Sequence, residues 1–173
     1  MTVENIHPIH QERMAENKKK ILFVCLGNIC RSAAAEAVMK SIVHKHDADS
    51  DYVIDSAGIL SYHQGDPADP RMRFFAGQRG YDVTSISRPV VAEDFNRFDW
   101  IIGMDDSNID DLKEKAYTVE HLDKIHKMTE FTRHSDMDHV PDPYYGGSAG
   151  FERVMDLLED ACEGLFYYLE KKK

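Results

Sequence analysis

A short apolar run, ILFVCL at residues 21–26, is followed after only five residues by the alanine-rich segment SAAAEAVMKSIVHKH. The run contains β-branched and aromatic side chains with no polar break, which predicts a short strand buried on both faces. The alanine-rich segment predicts a helix that begins at Ser32 and buries one apolar stripe. Because a buried strand that leads directly into a helix is typical of parallel α/β proteins, this stretch constrains the fold of the whole chain.

The rest of the chain continues the alternation of strands and helices. DYVIDSAG (51–58) and FDWIIGM (98–104) predict two more strands, and VEHLDKIHKM (119–128) contains a weaker fourth. Helices are predicted over RMRFFAGQRG, ending at Gly80, over DDSNIDDLKEK and over the last 23 residues. We therefore expect an α/β fold: a doubly wound, four-stranded parallel sheet with helices on both faces. Ligands bind such sheets beyond the C-terminal ends of the strands, where the first loop begins.

Length and composition limit the organisation and the partners. The 173 residues suit one domain, and no repeat or Ser/Gly linker divides them. Residues 1–18 are polar and unpatterned, so we expect a mobile N-terminal extension before a single domain at 19–173. The net charge of −10 argues against nucleic acid and anionic membrane as partners. Three cysteines and the lack of a signal-peptide core predict a cytoplasmic protein, which we expect to be a monomer.

The loop between the first strand and the first helix is suited to a phosphate-like anion. Successive N–H groups of such a loop point inward, and the following helix presents its positive end. Gly27 lets the backbone approach an anion, Asn28 tolerates a left-handed conformation, and Arg31 adds a planar fork for two oxygens. A lone Cys25 would usually be a small buried hydrophobe. At the floor of this positive cup, however, its thiolate is stabilised and is placed as a nucleophile for phosphoryl transfer.

Five motifs, VCLGNICRS, AEAV, DSAG, FDWIIGMDDSN and DPYYGG, occur in this order. Together they resemble the low-molecular-weight protein tyrosine phosphatase family from about residue 20 to the C-terminus. The resemblance implies that Cys25 is the nucleophile and forms a phosphocysteine intermediate. It also implies that Arg31 holds the phosphoryl oxygens together with the N–H groups of residues 26–31. No cofactor or metal is implied, because the arginine and the loop neutralise the phosphate charge.

The resemblance also assigns roles around the nucleophile. Ser32 matches a serine whose hydroxyl stabilises the cysteine sulfur, and Asn28 and Ser56 match a pair that locks the loop in shape. Leu26 and Ile29 would line the wall of the binding slot. Isoleucine at position 29, where phosphoarginine-specific relatives tend to have threonine, favours phosphotyrosine.

Cleavage of a phosphate ester also needs an acid for the leaving oxygen. An Asp-Pro pair such as that in VPDPYYGG often only starts a turn, but the resemblance implies that Asp142 protonates the leaving group and then activates water. Tyr144 and Tyr145 would form an aromatic rim, with Tyr62 opposite, where relatives often carry Trp. Such a slot favours a phosphotyrosine-containing protein or a small aryl phosphate. The residues implied to bind substrate are Leu26, Gly27, Asn28, Ile29, Cys30, Ser32, Tyr62, Tyr144 and Tyr145.

Three positions need separate mention. Ala33 stands where the family usually has proline in the first turn of the helix, and Ser85 lies near the position of a loop-supporting histidine in some relatives. Cys30 has two open interpretations: a small side chain on the wall of the loop, or a neighbour that traps oxidised Cys25 as a reversible disulfide. The nine histidines show no metal-binding spacing, so no metal site is expected.

Two other functions are compatible with the same fold. An arsenate reductase needs two further redox cysteines, and only Cys162, on the apolar face of the last helix, lies beyond the loop. A non-hydrolytic phosphopeptide-binding or phosphocarrier module is the other alternative. A carrier would not need Asp142, and an inactive binder would not be expected to keep Cys25 and Arg31. The phosphatase interpretation is therefore preferred.

Overall fold

Four parallel strands form one sheet in the computed structural model of the chain, which describes residues 17–144 and 146–172. The strands are β1 (Lys19–Cys25), β2 (Tyr52–Gly58), β3 (Trp100–Gly103) and β4 (Ile125–Lys127), in the spatial order β2-β1-β3-β4. The four-stranded parallel sheet predicted from the sequence is confirmed. The predicted extension falls almost entirely on residues 1–16, which lie outside the described residues.

Helices connect the strands. They are α1 (Arg31–Lys45), α2 (Pro70–Gln78), α3 (Asp94–Arg97), α4 (Asp106–Lys115), α5 (Val119–Asp123) and α6 (Ser148–Lys171). Short 3-10 turns occupy Asp49–Asp51 and Met128–Phe131. The sequence did not predict α3 and α5, because helices of four and five residues show no helical periodicity. In the described ranges, no helix combines the length and the apolar composition that crossing a bilayer requires.

Both faces of the sheet are buried. Ile21 and Phe23 of β1 pack into a core shared with α1, α2 and α6, whereas Leu22 and Val24 point into a second core with α3 and α4. All four side chains are inaccessible to solvent. Since successive strand residues face opposite sides, two covered faces require an unbroken apolar run, which is what residues 21–24 supply. Helices on both faces are therefore confirmed.

The strand order creates a switch point at the C-terminal end of β1. The chain passes from β1 through α1 to β2 on one side, and it later returns to β3 on the other side. The connections that follow β1 and β3 therefore diverge and leave a crevice between them. Cys25 is the last residue of β1, so its side chain lies at the floor of this crevice.

Candidate active site

The loop at residues 26–30 turns its carbonyl groups outward. Four carbonyl oxygens between residues 25 and 29 accept hydrogen bonds from other segments of the fold. The donors are the N–H groups of Ile59, Leu60 and Asp69 and the hydroxyl of Ser87. Within the described part of the chain, no group accepts a hydrogen bond from the N–H groups of residues 27–30. These N–H groups, together with the positive end of α1, are thus available to an anion at the centre of the loop.

Asn28 fixes the shape of the loop from behind. It adopts a left-handed conformation with φ of 57°, and it is almost fully buried. Its Oδ1 accepts from the N–H of Arg88 at 3.1 Å, and its Nδ2 donates to Ser32 Oγ at 2.8 Å and to Ser56 Oγ at 3.0 Å. Gly58 lets the end of β2 pack closely against the loop, because a Cβ at this position would be crowded at 3.1 Å from atoms of Gly27 and Asn28. Asn28 therefore connects β1, α1 and β2 at one point.

Two cysteines lie in this loop, and their environments differ. The sulfur of Cys25 is 3.0 Å from Oγ of Ser32, the second residue of α1. Cys30 is also buried, and burial, followed by the negative charges of Asp69 and Cys25, raises the pKa of its thiol far above the usual range. Cys30 is therefore a neutral thiol, whereas Cys25 has a hydroxyl in position to stabilise its anion.

The guanidinium of Arg31 is held by oxygen atoms on one side of the crevice. Its Nη1 donates to Oδ2 of Asp105 at 2.6 Å and to the carbonyl of Val140 at 3.0 Å, and its Nη2 lies 3.7 Å from Oδ2 of Asp142. Burial by itself lowers the pKa of Arg31, but the negative charges of Cys25, Asp105 and Asp142 outweigh it and raise the pKa. Arg31 is thus a fixed cation beside Cys25.

Asp105 is a site residue that the sequence analysis did not identify. Its Oδ1 caps α4 by accepting from the N–H of Asn108 at 2.8 Å, while its Oδ2 binds Arg31. The sequence pattern predicted only that a helix begins in the segment DDSNIDDLKEK, of which Asp105 is the first residue. A further signal was present, because Asp105 follows the C-terminal end of β3 and β3 is the neighbour of β1 in the sheet.

A cavity of about 340 Å³ opens above the loop. Its lining residues are Cys25, Leu26, Gly27, Ile29, Cys30, Arg31, Leu60, Tyr62, His63, Asp142 and Tyr144. Leu60 and His63 were not predicted. Asn28, Ser32 and Ser56 lie buried behind the loop and not on the wall of the cavity. Tyr145 lies outside the described residues.

The mouth of the cavity is aromatic. His63 lies beside the loop, with its ring centroid 4.8 Å from that of Tyr62 and 6.5 Å from that of Tyr144. A Cβ on Gly27 would lie 3.0 Å from Cδ2 of the imidazole, so a larger residue at this position would require the His63 ring to shift away from the loop. Tyr62 is 85% exposed and Tyr144 37% exposed, so both rings are accessible to a substrate. Asp142 accepts from the N–H of Tyr144 at 3.0 Å, which directs its carboxylate toward the cavity.

Comparison with known proteins identifies the family. The family model for low molecular weight phosphotyrosine protein phosphatases matches residues 20–173. The chain belongs to this family. A low molecular weight phosphotyrosine protein phosphatase of Dictyostelium discoideum is 38% identical over 173 residues, which cover 90% of this chain and 96% of the relative. The prediction of a protein-tyrosine phosphatase is thereby confirmed at the level of the family.

Solved structures agree with this assignment. A protein tyrosine phosphatase from Entamoeba histolytica superposes with a TM-score of 0.87 at 52% identity, covering 90% of this chain and 99% of that one. A Drosophila arginine phosphatase superposes with a TM-score of 0.82 at 32% identity, covering 87% and 98%. The α/β fold predicted from the sequence is therefore also that of solved tyrosine phosphatases.

The two departures from the family pattern can now be placed. Ala33 is buried in the first turn of α1, where it continues the helix. Oγ of Ser85 is buried and has no hydrogen-bond partner among the described residues, so Ser85 does not replace the loop-supporting histidine of some relatives. The neighbouring segment supports the loop instead, through the hydroxyl of Ser87 and the N–H of Arg88.

Proposed function

We propose that the protein hydrolyses phosphotyrosine, or a related aryl phosphate monoester, through a phosphocysteine intermediate. One observation carries the proposal: Cys25, Arg31 and Asp142 line the same cavity, with the guanidinium of Arg31 3.7 Å from the carboxylate of Asp142. A nucleophile, a phosphate-binding cation and a proton donor are the three groups that this reaction needs.

In the first step, the phosphoryl group occupies the centre of the loop, where the free N–H groups and Arg31 bind its oxygens. The Cys25 thiolate attacks phosphorus, so that an S–P bond forms while the P–O bond to the aryl group breaks. Asp142, whose side chain is exposed at the mouth, donates its proton to the departing phenolate oxygen. The charge that develops on the phosphoryl oxygens is stabilised by donors that are already in position.

In the second step, the Asp142 carboxylate takes a proton from a water molecule, and the resulting hydroxide oxygen attacks phosphorus. The S–P bond breaks and returns the thiolate of Cys25, which accepts the hydrogen bond of Ser32 at 3.0 Å. Inorganic phosphate leaves with the oxygen of that water. The hydroxyl of Ser32 thus makes Cys25 a better leaving group in the step that releases the enzyme.

The walls of the cavity support an aromatic substrate. Leu26 and Ile29 line its side, and the rings of Tyr62 and Tyr144 border its mouth, so a phenyl ring between phosphate and peptide would contact apolar atoms. A phosphoserine side chain is too short to carry its peptide backbone to this rim. We therefore favour phosphotyrosine over phosphoserine, with phosphoarginine as the competitor that the solved Drosophila arginine phosphatase suggests.

The buried position of Cys162 argues against an arsenate reductase. Its thiol is inaccessible, donates to the carbonyl of Ala35 at 3.8 Å and has a pKa raised by burial. A redox relay requires a cysteine that can reach a partner in solution. The monomeric state and the cytoplasmic location stay predictions.

Replacing Asp142 with alanine tests the proposed mechanism. Phosphotyrosine hydrolysis should fall by about two to four orders of magnitude, because tyrosine phenolate leaves poorly without a proton. Phosphorylation of Cys25 by an aryl phosphate with a nitrophenolate leaving group should fall much less, and burst kinetics separate that step from release of phosphate. The loss should appear in kcat more than in KM.

The matched control is Asp138→Ala, which removes an exposed carboxylate of the same segment that is paired with His139. This variant should retain wild-type rates with both substrates. An equal loss on every leaving group after Asp142→Ala would show that Asp142 only shapes the turn that carries Tyr144. Faster turnover of phosphoarginine or arsenate than of phosphotyrosine would overturn the proposed substrate.

A further inference from the structure

Glu36 is a buried carboxylate behind the loop that the mechanism above does not use. It lies in the second turn of α1 and is only 5% exposed. Its Oε1 accepts from the hydroxyl of Ser56 at 2.8 Å, and its Oε2 accepts from Nζ of the exposed Lys40 at 2.9 Å. Because Ser56 also contacts Asn28, this carboxylate lies at the outer end of a chain of hydrogen bonds that reaches the nucleophile.

The groups at the two ends of that chain determine which partner donates in each of its hydrogen bonds. The Glu36 carboxylate can only accept, so Ser56 must donate to it and use a lone pair to accept from Nδ2 of Asn28. The N–H of Arg88 can only donate, so it fixes Oδ1 of Asn28 and thereby the orientation of the whole amide. The second hydrogen of the amide then goes to Ser32.

The direction of the last hydrogen bond follows from these constraints. Oγ of Ser32 accepts from Asn28 at 2.8 Å, which leaves the hydroxyl hydrogen for the sulfur of Cys25 at 3.0 Å. A hydroxyl that donates to the sulfur stabilises the thiolate, whereas one that turned away would leave the anion without this bond.

We propose that Glu36 is a positioning residue that, through Ser56 and Asn28, keeps the Ser32 hydroxyl donating to the thiolate of Cys25. The proposal rests on the proposed function, because it assigns to Cys25 the role of nucleophile. Glu36 touches neither the cavity nor a substrate, so it acts only through the chain of hydrogen bonds. The charge matters because a neutral amide in its place can present its NH₂ group to Ser56. Ser56 would then no longer have to donate to residue 36, and the donor in each of the following hydrogen bonds would no longer be fixed.

Replacement of Glu36 by glutamine tests the proposal, because glutamine keeps the size of the side chain and loses its acceptor-only character. The readouts are the rate at which iodoacetate alkylates Cys25 across pH and the kinetics of aryl phosphate hydrolysis. We expect the midpoint of alkylation to move up by about one pH unit. We also expect kcat to fall about tenfold with KM changed less than twofold.

The sign of the change in the alkylation midpoint distinguishes a lost hydrogen bond from Ser32 from the mere loss of the negative charge of Glu36. Removal of a negative charge near Cys25, with nothing else changed, would favour the thiolate and move the midpoint to lower pH. A downward or absent shift with Glu36→Gln would therefore overturn the proposal. Lys40→Met is the matched control, since it alters the partner of the carboxylate but leaves it an acceptor, and its midpoint should stay close to that of the wild type.

A double-mutant cycle tests whether Glu36 acts through Ser56. In a Ser56→Ala background the chain is already interrupted, so adding Glu36→Gln should change the midpoint and kcat no further. Equal effects of Glu36→Gln in the wild-type and Ser56→Ala backgrounds would show that Glu36 does not act through Ser56. If Glu36→Gln fails to fold, Ser56→Ala alone must raise the midpoint, or the proposal is wrong.

A distant carboxylate serves as the control for general destabilisation. Glu159 on α6 accepts from Tyr81 and pairs with Arg79, so Glu159→Gln should lower stability without moving the alkylation midpoint. Failure of the proposed function would look different from failure of this inference. If alkylated wild-type protein, modified at Cys25, kept its activity, the nucleophile itself would be wrong, whereas an unchanged Glu36→Gln variant of an alkylation-sensitive enzyme would exclude only Glu36.

Discussion

The ion pair between Arg31 and Asp105 gives a stability prediction that can be worked from the structure. Asp105 makes two contacts, the 2.6 Å bond to Arg31 and the 2.8 Å bond that caps α4. Asparagine is as good a helix cap as aspartate, so Asp105→Asn removes the charge and keeps the cap. Asp105→Ala removes both. The pair of variants therefore separates the two contributions.

The magnitude follows from burial. Unit charges about 4 Å apart interact by about 4 kcal/mol at an effective dielectric constant of about 20, and loss of one partner of a buried pair costs about 3–5 kcal/mol. The Arg31 side chain is 3% exposed, but that of Asp105 is 25% exposed, and Asp142 and the carbonyl of Val140 remain as partners. We therefore expect Asp105→Asn to lower the free energy of unfolding by about 2–3 kcal/mol. Loss of the cap adds about 1 kcal/mol for Asp105→Ala.

Urea unfolding at pH 7 measures both values as changes in the midpoint at constant slope. Turnover should fall as well, by about a hundredfold for both variants, because a guanidinium displaced by about 1 Å no longer meets the phosphoryl oxygens. If Asp105→Asn unfolded within 0.5 kcal/mol of the wild type, the pair would have no net stabilising effect and the reasoning from burial would be refuted. Equal stability of the two variants would refute the contribution of the cap.

Four shorter predictions concern the loop and the packing of α6. Cys25→Ser should abolish aryl phosphate turnover while phosphate binding, measured by calorimetry, persists; near-normal turnover would contradict its role as nucleophile. Arg31→Lys should lose both kcat and phosphate affinity, since an ammonium group lacks the planar fork, and an active lysine variant would leave Arg31 a structural role only. After peroxide treatment, thiols should restore the wild type through a Cys25–Cys30 disulfide, in which the Cys30 thiol displaces water from the sulfenic acid of Cys25. Because burial keeps Cys30 protonated, formation of this disulfide should be slow at pH 7 and faster at higher pH. Equal recovery of activity by Cys30→Ser would disprove the disulfide. Gly164→Ala should lower the urea midpoint strongly, because its Cβ would overlap the carbonyl of Phe131, and an unchanged midpoint would contradict this packing.

The sequence predicted the placement of Cys25, the proposed nucleophile, because the relevant signals are local. The apolar run that ends at Cys25 and the helix that begins at Arg31 are each recognisable within a dozen residues, so their junction could be located before the fold was known. The fourth strand was harder to predict. Ile125–Lys127 is only three residues long and half-buried, and it follows the short polar helix α5, so neither a strand nor a helix period could develop.

The residues that the sequence analysis missed depend on contacts between distant segments. Asp105 reaches Arg31 across 74 positions, and His63 covers Gly27 from a loop that has no regular structure. Glu36 carried a weak local signal, because it lies four residues after Ser32 and so on the same face of α1, inside an alanine-rich stretch. A charged residue on a buried helix face requires a partner, and this reasoning could have connected it with the loop.

The hydrogen bonds that hold the loop are sufficient to offset its backbone strain. A non-glycine residue in the left-handed region costs about 1–3 kcal/mol, with asparagine near the lower value. The side chain of Asn28 makes three buried hydrogen bonds, each of which contributes about 0.5–1.5 kcal/mol. Glycine would remove the strain together with all three bonds, so only a residue that tolerates this φ and also carries an amide satisfies both requirements. Since the partners come from α1, from β2 and from the segment of Arg88, the loop reaches this shape only in the folded domain. The donors around Cys25 are therefore in place before a substrate arrives, and reaction requires little reorganisation of the protein.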